Sequence, residues 1–270
     1  MAFSITTWNI NSVRLRQPLV QHFLDTVQPD VLCLQETKCP NDAFPSGAFR
    51  KIGYEHMAIH GQKGYHGVAI LSRHPLTDDQ RLSYCGIADA RHVSAIVEAP
   101  GARRIRLHNF YVPAGGDEPN REKNLKFAHK LDFIEEMRTL NAEAERDSGV
   151  SSILVGDLNI APLETDVWSH KQLLKVVSHT PVETESLTLM QQSGAWVDLI
   201  RTHIPPQEKV FTWWSYRARD WDVSDRGRRL DHIWSSADLA PALRDLQVLR
   251  EARGWERPSD HVPVTARFEF

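Results

Sequence analysis

Acids, amides and one histidine recur where the apolar runs of this chain stop. Asn9 and Asn11 close the run that begins at Phe3, and Glu36 follows Val31-Leu32-Cys33-Leu34. Asp157 and Asn159 follow Ile153-Leu154-Val155-Gly156, while Asp231 and His232 sit at the start of one late apolar run and Asp260 and His261 at the start of another. Alternate residues of a strand share a face, so Asp157 and Asn159 point together, as do Asn9 and Asn11. A carboxylate beside an amide makes a poor core and a good holder of one water molecule. Any single case also reads as a strand cap or an Asx-type turn; five cases are hard to explain that way.

If these ends meet, several carboxylates converge, and burying them unpaired is expensive. Like charges gathered in one place call for a cation. The donors are mostly oxygens, and Cys33, Cys39 and Cys85 have no paired metal spacing. That selects a hard ion, Mg²⁺ or else Mn²⁺, over zinc. His56 and His60 lie four apart without helical periodicity or an HExxH motif, so they make no zinc site. A hard cation, a base for water and one histidine suit hydrolysis of a phosphate ester.

The elements that must position these groups read as an α/β chain. Strands are expected over Phe3–Asn11, Val31–Leu34, two around the turn Gly61-Gln62-Lys63-Gly64, Arg91–Glu98, Ile105–Val112, Ile153–Ile160, the aromatic Val210–Tyr216, Leu230–Trp234 and Val262–Phe270. Between the first two, Pro18 starts a helix that Pro29 stops. One long helix is expected from Arg121 to Arg146, capped by Asn120, and Gly194 is expected to end the helical stretch after Pro162. With no fixed-period repeat, linker or composition break, residues 1–270 read as a single domain.

Composition bounds the class. Hydrophobic residues are 41% and charged residues 25%, an ordinary globular mixture. No apolar stretch is long enough to cross a bilayer, no leader precedes the first strand, and the odd cysteine count suits a reducing interior, so a cytoplasmic monomer with no membrane contact is the expectation. A net charge of −3 offers no global pull on a polyanion; nucleic acid would have to be held by a local basic face and bound metal.

Five motifs together carry a resemblance. Trp8-Asn9-Ile10-Asn11, Leu34-Gln35-Glu36-Thr37-Lys38, Gly156-Asp157-Leu158-Asn159-Ile160, Arg229-Leu230-Asp231 and Ser259-Asp260-His261 are similar, in order, to the motifs of the exonuclease III family. Those proteins are apurinic/apyrimidinic (AP) endonucleases within the endonuclease/exonuclease/phosphatase superfamily. His60 to Gly64 and Phe211 to Tyr216 also resemble that family more than its lipid- or inositol-directed cousins. The resemblance implies a four-layer α/β/β/α sandwich, two packed sheets flanked by helices with the site at one edge. It implies Mg²⁺-dependent cleavage of duplex DNA 5′ to abasic sites, with 3′–5′ exonuclease and 3′-phosphatase action on blocked 3′ ends.

By the same resemblance, Glu36 is the principal metal ligand, with Asn9 and Asp260 helping and Asp157 and Asn159 completing the metal set. Asp157 orients and deprotonates water, Asn159 holds that water or a phosphate oxygen, His261 contacts the phosphate with Asp231 behind it, and Tyr111 offers its hydroxyl. For DNA, Arg91, Lys63 and Lys123 are candidates for phosphate contacts. Trp213 and Trp214 are candidates for a groove or sugar-pocket wall with Leu230 behind, one of the two tryptophans belonging to the core. Three residues depart from the family pattern. Ala114 replaces an amide, Arg228 an apolar or aromatic pocket residue, and Ser12 a glycine. Two other readings compete. One is a phosphoesterase for a small or lipid headgroup substrate, and the other is a DNA-binding module without catalysis, against which the intact set Glu36, Asp157, Asn159, Asp231 and His261 speaks.

Overall fold

The computed structural model describes residues 1–270. Strands β1 (Ala2–Asn9), β2 (Val31–Gln35), β3 (His56–His60) and β4 (Val68–Ser72) come first. Then follow β5 (Leu76–Gln80), β6 (His92–Ala99), β7 (Arg103–Tyr111), β8 (Ser151–Asp157) and β9 (Val197–Asp198). The last are β10 (Trp213–Trp214), β11 (Gly227–Arg228), β12 (Asp231–Ser235), β13 (Leu243–Val248) and β14 (Val264–Glu269). They make two mixed six-stranded sheets, ordered β13-β14-β1-β2-β4-β3 and β5-β6-β7-β8-β12-β9, and a short β10-β11 ribbon.

The layers follow from which faces are apolar. Alternate residues of the strands, among them Ile5, Val31, Cys33 and Ile70 from one sheet and Val93, Leu107, Val155 and Ile233 from the other, fill a core of 24 buried residues between the sheets. Burying each large aliphatic side chain there contributes about 1.5–3 kcal/mol. The outer face of the first sheet packs Trp8, Leu32 and Leu34 against Val20, Phe23 and Leu24 of the helix Gln17–Val27. The outer face of the second packs Phe110 and Leu154 against Phe133, Ile134 and Met137 of the helix Leu125–Met137 and Leu187 and Met190 of the helix Pro181–Ser193. The result is the expected α/β/β/α sandwich. No helix is long and apolar enough to cross a membrane.

Two pairs, β1 with β2 and β7 with β8, run parallel, so the carboxyl ends of all four strands lie at the edge where such sheets receive ligands. Strand β12 runs antiparallel to β8 with Asp231 opposite Asp157, and Tyr111 is opposite Asp157 on the other side. The sheet register itself therefore sets three polar side chains in one row.

Several boundaries differ from expectation. The helix over 121–146 is two helices, Leu125–Met137 and Ala142–Asp147. Asn120 turns inward on its own loop, accepting from the backbone N–H of Glu122 and Lys123, and Asn124 caps the first helix instead. Asn141 caps the second by accepting from Glu143 and Ala144. Of Val210–Tyr216 only Trp213–Trp214 is strand; Val210 N–H bonds to Thr165 O outside any strand, and Thr212 N–H adds a single bond to Arg228 O of β11. Strands β5 and β13 were not expected: both lie at sheet edges and expose much of their polar sequence.

Candidate active site

The strand exits that carry the polar groups leave the sheet abruptly. Asn11, Ser12, Glu36, Lys38 and Asn159 all have positive φ, a conformation that costs non-glycine residues of order 1 kcal/mol and concentrates at functional turns. Ser12, at φ 86, stands where the resemblance leads one to expect glycine, so that departure adds backbone strain at the turn. Neighbouring backbone holds these turns: Ser12 N–H donates to Glu36 O at 2.7 Å, Thr37 to Gly67 O at 3.0 Å and Lys38 to His66 O at 2.9 Å. Gly67 itself (φ +90) has no room for a side chain, since a Cβ would lie 2.1 Å from Thr37 Oγ1. On β8 a Cβ at Gly156 would lie 2.0 Å from Phe110 O, so only glycine lets the strand reach Asp157 beside β7.

The side chains then meet across both sheets. Asn9 Nδ2, from the first sheet, donates to Glu36 Oε1 and to Asp157 Oδ2, both at 2.9 Å. Asn9 Oδ1 is used by the Asn11 N–H at 3.1 Å. Asn9 therefore ties two carboxylates together by its amide hydrogens, and its oxygen faces away from them. Asn9 thus positions two acids of the expected metal set. Asn159 N–H and Nδ2 both donate to Asp157, at 2.9 and 3.1 Å. Lys38 Nζ lies 2.7 Å from Glu36 Oε2. Asp260 accepts from Asn11 Nδ2 at 3.1 Å and from Trp213 Nε1 at 3.0 Å.

His261 lies between two acids, its Nδ1 2.8 Å from Asp231 Oδ2 and its Nε2 3.6 Å from Asp157 Oδ2. Burial disfavours the imidazolium, but the charges of Asp231 and Asp157 outweigh it and lift the pKa to about 10. Asp157 is pushed up to about 7 by burial, with His261 opposing and Asp231 adding to the rise. Burial works against ionisation of Glu36 as well, yet Lys38 and Asn9 bring its pKa below the usual carboxylate value. Tyr111 is driven well above the usual phenol value by burial and by the charges of Glu36 and Asp157, so its hydroxyl keeps its proton. Asp157, Asp231 and His261 offer donor atoms within 4.8 Å of one another.

A pocket of about 590 Å³ opens onto this cluster. Glu36, Tyr111, Asp157, Asn159, Asp260 and His261 line it together with Ala114, Trp213, Arg228 and Leu230. The predicted catalytic and metal residues are thus brought to one rim, Asp231 and Asn9 standing just behind it. The DNA-contact set is divided. Trp213 and Leu230 line the pocket, whereas Trp214 is core, 2% exposed, with its Nε1 on Asp225. Arg91 is buried; its guanidinium pairs with Asp89, donates to Tyr111 O and lies 5.0 Å from the Tyr111 ring centre, so it braces the tyrosine instead of standing free. Lys63 and Lys123 are exposed on loops and do not line the pocket.

Two residues that sequence reasoning missed hold the site from behind. Thr212 Oγ1 donates to Asp231 Oδ2 at 2.6 Å and accepts from the N–H of Leu230 and Asp231. Its only sequence signal is a hydroxyl amid aromatic strand residues. Lys130 is wholly buried, paired with Glu183, and donates to Asn159 O at 2.8 Å, which anchors the left-handed turn there. A lysine on a helix gives no sign of that.

Residues 6–261 match the Endonuclease/Exonuclease/phosphatase family. Exodeoxyribonuclease III of Haemophilus influenzae is 30% identical over 274 residues, covering 97% of this chain and 98% of that protein. Among solved structures, the 3′ phosphatase NExo from Neisseria bound to a product DNA hairpin superposes with a TM-score of 0.87 at 32% identity, covering 99% of this chain and 100% of that one. An AP endonuclease from Archaeoglobus fulgidus gives a TM-score of 0.88 at 30% identity with the same coverage.

Proposed function

Because the chain belongs to the endonuclease/exonuclease/phosphatase family and is an exonuclease III-type hydrolytic nuclease, we propose that it is a Mg²⁺-dependent DNA repair phosphodiesterase. In this reading one domain over residues 1–270 cleaves duplex DNA 5′ to abasic sites and trims blocked 3′ ends. The observation that carries it is the meeting of Glu36, Asp157, Asp231 and His261, from segments far apart in sequence, at the mouth of one pocket.

The donor set suits a hard divalent ion. Glu36 and Asp260 present carboxylate oxygens, Asn9 draws Glu36 and Asp157 close, and no thiolate is near. Glu36, with Asp260, would hold Mg²⁺ or Mn²⁺, which when bound neutralises charge developing on the phosphate. Asp157, its pKa near 7, takes the proton of the attacking water, and Asn159 fixes that carboxylate by two N–H donors. His261, kept cationic and oriented by Asp231, directs its Nε2 proton to a phosphate oxygen, and protonated Tyr111 donates to another. The water oxygen bonds to phosphorus as the bond from phosphorus to the 3′-oxygen breaks. That oxygen is protonated from solvent and becomes a 3′-hydroxyl. Trp213 and Leu230 wall the space for the abasic sugar, and Lys63 and Lys123 meet the backbone beyond it.

A labelled duplex with one abasic site tests this. Mg²⁺-dependent cleavage 5′ to the lesion is expected, with loss of at least about 10³-fold in rate for Asp157→Asn and retained DNA binding. A variant that cuts at the wild-type rate removes Asp157 as base. Hydrolysis of an inositol phosphate with no cleavage of the duplex would replace the substrate class.

A further inference from the structure

The pocket that meets the acids has a cationic part. Arg217, Arg226 and Arg228 line it, and none of the three pairs with a carboxylate. Arg228 is the most firmly placed. It stands on β11 opposite Trp213 on β10, with its Cζ 5.3 Å from the Trp213 ring centre. Its Nη1 donates to Val177 O at 2.9 Å and Ser178 Oγ at 2.7 Å, which fixes the plane of the guanidinium. On the other edge, Nη2 has no protein acceptor, and Nε is buried without a partner.

The next residue shows what that edge ordinarily does. Arg229 Nε and Nη2 grip the two oxygens of Asp166 at 2.7 and 2.9 Å, and its Nη1 reaches Asp198. Two adjacent arginines thus differ in one respect: Arg229 hydrogen-bonds carboxylates and Arg228 hydrogen-bonds none. A half-buried guanidinium that hydrogen-bonds no carboxylate, with Glu183 near enough only to favour its charge, is costly, and its free Nη2 hydrogens can donate to an oxyanion. A neutral abasic sugar leaves that cost in place; an acidic substituent removes it.

Resting on the proposed phosphodiesterase reading, we infer that Arg228 is a specificity residue that grips an oxyanion on the substituent remaining esterified to the phosphate, favouring 3′ ends blocked by the phosphate ester of a small hydroxy acid over neutral blocks. For such an end the bond from phosphorus to the DNA 3′-oxygen breaks. The 3′-oxygen takes a proton from solvent, and the hydroxy acid leaves still bound to the phosphate. Within intact DNA the only comparable oxyanion is the next phosphate of the strand beyond an abasic sugar, which presents the same chemistry to the same edge.

The test uses the whole Mg²⁺-loaded protein on otherwise identical recessed duplexes. One ends in 3′-phosphoglycolate, one in the neutral 3′-phospho-(2-hydroxyethyl) ester, one in a terminal abasic sugar, and one carries an internal abasic site. Wild type should favour glycolate over hydroxyethyl in kcat/KM by at least about tenfold, the lower range for a charge-assisted hydrogen bond. Arg228→Gln should bring the ratio to about one, and Arg228→Lys should keep part of it. Fluorescence anisotropy in chelator should show the same ordering in DNA affinity, and thermal melts check that both variants fold. If the Arg228-dependent preference is instead for the internal over the terminal abasic site, the grip falls on the next phosphate, which also supports the inference. A wild-type ratio near one in both pairs overturns it, as does an undiminished ratio in Arg228→Gln. Failure to cut any of the four duplexes is a different result, which removes the phosphodiesterase reading itself.

Discussion

Thr212→Val is the sharpest perturbation of the proposed relay, because it changes one oxygen to a methyl group and little else. Thr212 is wholly buried, and its Oγ1 makes three hydrogen bonds: to Asp231 Oδ2 at 2.6 Å, from Leu230 N–H at 3.0 Å and from Asp231 N–H at 3.1 Å. Valine removes all three, strands two buried N–H groups, and leaves Asp231, whose Oδ1 already has no partner, with His261 alone. At about 1–3 kcal/mol for each stranded N–H, the loss of stability should be roughly 2–6 kcal/mol. Asp231 then holds the imidazole less firmly, and kcat should fall about 10- to 100-fold, the usual cost of losing an outer partner of a site residue, while KM changes little. Thr212→Ser keeps the hydroxyl and should retain most of the rate. Urea denaturation gives the first quantity, steady-state cleavage of an abasic duplex the second, and the Nδ1–H resonance of His261 reports the orientation directly. If Thr212→Val melts and cuts like wild type, the relay through Thr212 is refuted.

Arg229→Met should destabilise the fold by about 3–5 kcal/mol in denaturant titration, since it leaves the buried carboxylate of Asp166 without its bidentate partner. Acid should weaken the fold through His232. Burial, helped by the charge of Arg229, lowers its folded pKa from 6.5 to about 4, so the neutral ring adds nothing above pH 6.5. Between pH 6.5 and 4 the unfolded chain binds a proton that the folded chain refuses, and about 3 kcal/mol of stability should be lost over that range. His232→Asn should flatten this part of the stability profile, and an unchanged profile would contradict the assignment. Chelator should stop DNA cleavage and Mg²⁺ restore it, with Glu36→Gln raising the half-saturating Mg²⁺ concentration about tenfold or more in a metal titration of rate; full activity in chelator removes the metal from the reading.

How far the site was legible in the sequence depended on the range of the interaction. Glu36, Asp157 and Asp231 stood out because continuous apolar runs were bounded by an acid, at the end for the first two and at the start for Asp231, and strand period and register did the rest. The layered fold was legible for the same reason: buried strands and one-sided helices advertise their faces. Partners across space were not. Thr212 lies nineteen residues from Asp231 and Lys130 twenty-nine from Asn159, and nothing local marks either bond. The break near residue 138 was missed because the apolar stripe continues through Met137 to Leu140, while Asn141, which starts a new helix, reads equally well as a solvated residue. Edge strands β5 and β13 lack the apolar alternation by which strands are recognised. Arg91 looked like a surface cation because its carboxylate partner and the ring it covers come together only in the fold.

The amide of Asn9 spans the seam between the two sheets, since Glu36 belongs to one and Asp157 to the other. Neither sheet alone owns enough of the machinery to hydrolyse anything. On the proposed reading, a chain with only one layer formed would cut nothing. The cluster is whole only where both layers meet and one small carboxamide reaches both of its acids.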